Sequence, residues 1–257
     1  MFDFNLEAFE TFIWCWMALA VLVFFTLFFI SAPYGRHERK GWGPKIPSRV
    51  GWILMEAPSA LIMALCFIVS EREQDFVAWV FLLLWQIHYI NRSFIFPFRC
   101  RTDGKTMPLA IAGMAILFNG VNAFTNGAFL FVLGDSYGLD WLTDPRFIIG
   151  LVLFGTGMFI NISSDNILLK LRTGRALNEG YLIPQGGLFR WVSSPNYFGE
   201  ILEWVGFAIA TWSLPALAFA FWTIANLAPR AHANHRWYRT TFPDYPPERK
   251  ALVPGVF

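Results

Sequence analysis

Asn196 and Glu200 stand four residues apart at the opening of a long apolar run, and Asn161 and Asp165 repeat that spacing within another. On an α-helix an i, i+4 pair shares one face, so two helices would each present an amide beside a carboxylate. Such faces make a hydrogen-bonding site for a ligand rich in hydroxyls and amides, a description that fits a nucleotide. Its phosphates would need cations, and Lys170, Arg172, Arg175, Arg101 and Lys105 lie in nearby connections with the chemistry to pair with them.

The elements that must position these residues are apolar. The chain is 56% hydrophobic, 18% aromatic and only 15% charged, outside the range of soluble globular domains. An all-α polytopic membrane protein follows. A helix needs about 20 apolar residues to cross the hydrocarbon, and seven runs qualify, near 11–31, 50–70, 76–98, 107–133, 145–169, 196–213 and 215–235. They form one transmembrane domain over residues 1–257. Met1 to Glu10 carries no Lys or Arg, unlike the start of a cleavable signal peptide, so the first run is expected to remain as a span. Ser213-Leu214-Pro215 separates the last two runs and leaves room only for a helical hairpin or a kink.

Basic residues set the orientation. The first, third and fifth connections and the tail hold 17 of the 20 Lys and Arg, while Arg72 and Arg146 lie opposite and Arg92 lies within a span. The N-terminus is therefore expected outside and the C-terminus in the cytosol, as an odd number of spans requires.

Helical rise of about 1.5 Å per residue then places the polar residues by depth. Glu56, Tyr89, Arg92, Asn161, Asp165, Asn196, Glu200 and Glu203 fall in the cytosolic half, as do Asn226, Arg230, His232, Asn234, His235 and Tyr238. Ionisable groups inside a membrane are expensive and default to function; ion pairs that only lock helices together are the other reading. Glu203 and Asn226 could also snorkel or bond a neighbouring backbone.

Familiar fingerprints are missing. Gly155-Thr-Gly157-Met-Phe-Ile160 begins like a dinucleotide-binding loop, but no strand precedes it. Walker and HExxH motifs do not occur. Cys15, Cys66 and Cys100 are scattered without CxxC spacing, so neither a disulfide framework nor a metal site is expected.

Longer stretches carry a resemblance over nearly the whole chain. They are Ala32-Pro-Tyr-Gly-Arg-His37, Trp52-Ile-Leu-Met-Glu56-Ala-Pro-Ser59, His88-Tyr-Ile-Asn-Arg92 and Gly157-Met-Phe-Ile-Asn-Ile-Ser-Ser-Asp165. Further on come Tyr181-Leu-Ile-Pro-Gln-Gly-Gly-Leu-Phe189, Asn196-Tyr-Phe-Gly-Glu200, Trp212 to Phe221, His235-Arg-Trp-Tyr238 and Asp244 to Phe257. Together they resemble the steroid 5α-reductases (3-oxo-5α-steroid 4-dehydrogenases).

That resemblance implies a seven-helix enzyme, monomeric and embedded in membrane lipid, which takes hydride from NADPH and reduces the double bond of a 3-oxo-Δ4 steroid. Neither a metal nor nucleic acid is implied. Glu56 and Tyr89 would hydrogen-bond the C3 carbonyl. Asn161, Asp165, Arg172, Tyr181, Asn196, Glu200 and Tyr238 would hold the cofactor, together with Trp52, Arg92, Lys105 and His235. The site would face the cytosol. Two positions depart from the pattern: Met55 stands where animal steroid reductases commonly have Gln, and Leu182 replaces the Arg of a Tyr-Arg-Ile-Pro motif.

Other readings differ in chemistry. Reductases of polyprenols, enoyl thioesters or sterol nuclei would share the hydride step. An isoprenylcysteine-type methyltransferase would bind a methyl donor and need no carbonyl-polarising pair. A sterol or lipid carrier would have no cofactor.

Overall fold

The computed structural model describes residues 5–30, 41–72, 74–100, 102, 104–171 and 180–257. Helix α1, Leu6–Phe29, starts where the Asn5 side chain accepts from the backbone N–H groups of Glu7 and Ala8 at 3.0 and 3.3 Å, a standard helix cap. It buries Phe9, Ile13, Met17 and Ala20, a stripe at helical spacing. Trp14, Leu22, Phe25 and Phe29 remain exposed, as suits a lipid-facing surface.

A short ribbon departs from the all-helical expectation. Strand β1, Lys45–Pro47, pairs antiparallel with β2, Thr106–Pro108. Each strand ends in proline, which cannot donate to a ladder, and each proline caps the helix that follows. The ribbon thus ties together the starts of α2, Ser48–Ile68, and α5, Leu109–Ala128.

Between them, α3, Phe76–Ile90, continues through a π-helical turn at Asn91–Ile95 into α4, Phe96–Arg99. A second π-helical turn, Phe129–Leu133, prolongs α5. Asp144 caps α6, Pro145–Lys170, by accepting from the Arg146 N–H at 2.8 Å.

Helix α7, Pro195–Thr211, ends at Trp212 in the left-handed region (φ 46°), and Ser213 caps α8, Leu214–Thr241. The expected break at 213–215 is therefore a tight turn between two helices. Carbonyls left over at the end of α7 are taken by side chains from the connection that leads into α6. Tyr137 donates to Thr211 O at 2.7 Å, and Trp141 Nε1 to Ala210 O at 2.9 Å.

Four helices are long and apolar enough to cross a membrane among the described residues: Leu6–Phe29, Ser48–Ile68, Leu109–Leu133 and Pro145–Lys170. The chain therefore has the character of a membrane protein. Its core is aromatic, with Trp85, Phe81, Trp204, Phe207 and Phe219 packed together and buried.

Helices α6 and α7 pack backbone to backbone. A Cβ on Gly157 would collide with the Glu203 backbone nitrogen and the Gly199 carbonyl, and one on Gly206 with the Phe154 nitrogen and the Gly150 carbonyl. Small residues at such crossings are how apolar helices approach closely in a membrane. Gly157 is thus a packing residue and no part of a phosphate loop.

Candidate active site

The glycine contact brings the two amide–carboxylate faces together. Asn161 Nδ2 on α6 donates to the Asn196 carbonyl at 3.0 Å and to Glu200 Oε2 at 3.2 Å on α7. Asn196 Nδ2 returns a hydrogen bond to Asp165 Oδ1 at 3.1 Å. All four residues are therefore joined in one lattice.

Arg92 completes it from the π-helical turn, a feature often found at functional sites. Its guanidinium lies 3.3 Å from Asp165 Oδ2 and 4.0 Å from Glu200 Oε2. Its outer faces rest on aromatic rings, Phe96 at 4.8 Å and Trp52 at 5.4 Å to centroid. Nearby, Arg99 donates to Asn166 Oδ1 at 2.5 Å. Two carboxylates surround one guanidinium, so the cluster carries surplus acceptors. That suits hydroxyl and amide donors of a ligand better than phosphates.

Glu56 and Tyr89 adjoin this lattice. Glu56 lies within electrostatic reach of Arg92, Glu200 and His88, and Tyr89 within reach of Glu56 and Arg92. Tyr89 is 3% exposed. Its ring packs against Trp85 at 5.1 Å, His88 at 5.0 Å and Trp204 at 5.6 Å between centroids. Glu56 receives a contact from Asn119 Nδ2 at 3.5 Å, and the same nitrogen donates to Met55 O at 2.6 Å.

The remaining expected residues gather elsewhere. His235 and Tyr238 lie near the end of α8, where Tyr238 stacks on Tyr245 at 5.2 Å. Ser193 Oγ meets His235 Nδ1 at 2.7 Å, Tyr245 OH at 2.6 Å and the Lys250 carbonyl at 3.2 Å. All three contacts are met together when the single serine proton goes to the carbonyl. His235 Nδ1 and Tyr245 then donate, leaving Nε2 of a neutral His235 as an acceptor. Asn234 reaches Ser194 Oγ at 3.4 Å, which ties this group to the first turn of α7 and so to Asn196. Tyr181 is 42% exposed and packs on Trp237. Lys105 is exposed, just before β2. Arg172, with Arg101, Arg175 and residues 32–37, lies outside the described residues.

Three features escaped the reading of residue types. Glu203 does not snorkel: it is fully buried, and His88 Nδ1 meets its Oε1 at 2.8 Å. Asn226, by contrast, bonds its own helix at Trp222 O, 2.9 Å away. Second, Asn119, Asn122 and Asn126 form an amide stripe on α5 that runs as far as Pro215 O at the start of α8, 3.4 Å from Asn126 Nδ2. The polar residues are thus less one-sided than depth counting implied. The spacing of these asparagines was the available signal. Third, Arg249 is buried and donates to Pro184 O at 3.0 Å and Gln185 Oε1 at 2.9 Å, pinning the segment before α7.

Comparisons with known proteins identify the family. The family model for 3-oxo-5-alpha-steroid 4-dehydrogenase matches residues 105–257. The chain is 43% identical over 230 residues to 3-oxo-5-alpha-steroid 4-dehydrogenase 1 of Homo sapiens, covering 88% of this chain and 87% of that protein. It is 39% identical over 236 residues to the steroid 5-alpha-reductase DET2 of Arabidopsis thaliana, covering 89% of each. With that of Solanum lycopersicum the alignment spans 100% of both chains at 38% identity. With a family model matching more than half its length and relatives of this identity along nearly all of it, the chain belongs to the 3-oxo-5-alpha-steroid 4-dehydrogenase (steroid 5-alpha-reductase) family.

Proposed function

We propose that the chain catalyses NADPH-dependent reduction of the Δ4 double bond of 3-oxo-Δ4 steroids, giving 5α-dihydrosteroids. The observation that carries this is the placement of Glu56 and Tyr89 beside the lattice of Arg92, Asn161, Asp165, Asn196 and Glu200. A pair of O–H groups able to polarise a carbonyl adjoins a cluster able to hold a nucleotide.

The acceptor-rich lattice suits the hydroxyl and amide groups of the cofactor, and Trp52 adds an apolar wall. Arg172, Lys105, Tyr181, His235 and Tyr238 are assigned to the rest of it. When bound, NADPH supplies the hydride that goes to the β-carbon of the enone. Glu56, as the neutral acid, and Tyr89 donate to the C3 oxygen, where negative charge develops. Preplaced donors in a dry site act most strongly on such charge, and removing one costs about 10² to 10³ in kcat. The α-carbon then takes a proton from Tyr89 or from water.

The same proposal includes seven spans over a single domain, a monomer in membrane lipid, the N-terminus outside and the cofactor side facing the cytosol. The bias of Lys and Arg towards one set of connections supports that orientation.

The decisive assay is NADPH oxidation by detergent-purified protein given testosterone or progesterone, with the product identified by mass and stereochemistry. A 5α-dihydro product is expected. NADPH binding without steroid turnover would move the substrate to another activated alkene, such as a polyprenol, sterol or enoyl derivative. Absence of both would favour a methyltransferase or a carrier. Glu56→Leu removes one donor and should cut kcat about 10² to 10³-fold, whereas full turnover in that variant would refute the carbonyl role.

A further inference from the structure

Asn119 sits on α5 opposite Glu56 on α2 and is 6% exposed. Its Nδ2 lies 2.6 Å from the Met55 carbonyl and 3.5 Å from Glu56 Oε2. The orientation of the amide follows from chemistry. Turned over, it would press its oxygen against the Met55 carbonyl, two acceptors at hydrogen-bond distance with no proton between them. So the NH2 group faces α2, with one hydrogen on the backbone and the other directed at the carboxyl group.

A neutral carboxylic acid has one O–H donor and one acceptor oxygen. A donor held at Oε2 favours the form in which Oε2 is the acceptor, and the acid proton then sits on Oε1. We infer that Asn119 is a positioning residue for the reduction: it selects which oxygen of Glu56 carries the proton offered to the substrate carbonyl. This rests on the reading that Glu56 donates to that carbonyl. Asn119 itself touches Glu56 and the backbone of α2.

The test uses an amide at position 56, because its donor and acceptor cannot exchange by moving a proton. In Glu56→Gln, the Asn119 NH2 turns the new oxygen towards itself and leaves the new NH2 for the substrate. Glu56→Gln should therefore retain measurably more turnover than Glu56→Leu. Adding Asn119→Leu to Glu56→Gln should erase that advantage. In the parent background Asn119→Leu should lower kcat about tenfold, as expected for one hydrogen bond, with KM for NADPH within about twofold. A generally loosened protein would lose cofactor affinity as well. Asn119→Ser is too short to reach Glu56 and gives the same reading if the leucine variant does not fold. Unchanged kcat in the Asn119 variants alongside an inactive Glu56→Leu would overturn the role of Asn119 and leave Glu56 in place. Full activity in Glu56→Leu would instead overturn the reading on which it rests.

Discussion

His88 on α3 and Glu203 on α7 meet at 2.8 Å, Nδ1 to Oε1, with side chains only 5% and 0% exposed. Trp204, the next residue on α7, lies with its ring 4.7 Å from that of His88 and 5.6 Å from that of Tyr89. The pair therefore clamps the two helices immediately beside the tyrosine proposed to donate to the carbonyl.

Breaking such a buried pair from one side leaves the other group stranded, which costs about 3–5 kcal/mol, whereas replacing both with apolar residues is often neutral. Glu203→Leu alone should lower the unfolding temperature in detergent sharply. The double variant with His88→Leu should recover most of it. A loss in the double variant equal to the sum of the two single losses would show that the contact contributes nothing as a pair.

Gly157 and Gly155 provide an internal control. A methyl group at Gly157 has the α7 backbone in its way, while one at Gly155 meets nothing within 4 Å. Gly157→Ala should destabilise by about 1–3 kcal/mol, the usual cost of overpacking. It should also weaken NADPH binding, because Asn161 lies one turn farther along the same helix. Gly155→Ala should not lower thermal stability, since alanine is the better helix former, and should leave cofactor affinity unchanged.

Arg92 is the only guanidinium shown pairing with both Asp165 and Glu200 among the described residues. Arg92→Leu should raise KM for NADPH by the equivalent of about 1.5–3 kcal/mol, the range for hydrogen bonds to charged groups. Arg92→Lys should rescue little, since a point charge cannot span two carboxylates or stack on Phe96 and Trp52 as a planar group does. Wild-type NADPH affinity in Arg92→Leu would remove the lattice from the cofactor site.

At the start of α6, Asp144 accepts from the Arg146 N–H at 2.8 Å and from its guanidinium at 2.9 and 2.8 Å. Those bonds hold its carboxyl down at about 2, against an ordinary 3.8. A lowered value means that the cap stabilises fully above 3.8 and loses its effect as the pH falls through about 2. The difference in unfolding temperature between the parent and Asp144→Ala should be constant above the first value and close between the two. A difference unchanged down to the lower value would show that ionisation of Asp144 is not what stabilises the cap.

Helical periodicity made much of the candidate site legible. Asn161 with Asp165, and Asn196 with Glu200, read as matched faces because their spacing follows the turn of a helix, and depth counting added Arg92. What joins the faces was not legible. Gly150 and Gly157, like Gly199 and Gly206, are seven residues apart, a pattern that matters only once α6 is known to lie on α7. Glu203 gave no sign of its partner, since His88 sits 115 positions away. Asn119 looked neutral because an uncharged amide in an apolar run raises no alarm. The strands at Lys45–Pro47 and Thr106–Pro108 have three residues each, too few for alternation to register.

The direct backbone contact between α6 and α7 has a mechanical consequence. Helices separated by a layer of side chains can slide as rotamers change, but these two have no such layer at the glycine crossings. They should behave as one stiff strut that carries Asn161, Asp165, Asn196 and Glu200 without relative motion. If the lattice holds the cofactor as proposed, a widening that admits it would part this strut from the π-helical turn at Asn91–Ile95, across the longer Arg92 contacts of 3.3 and 4.0 Å. Arg92 would serve as the latch, and the glycines keep the frame from bending.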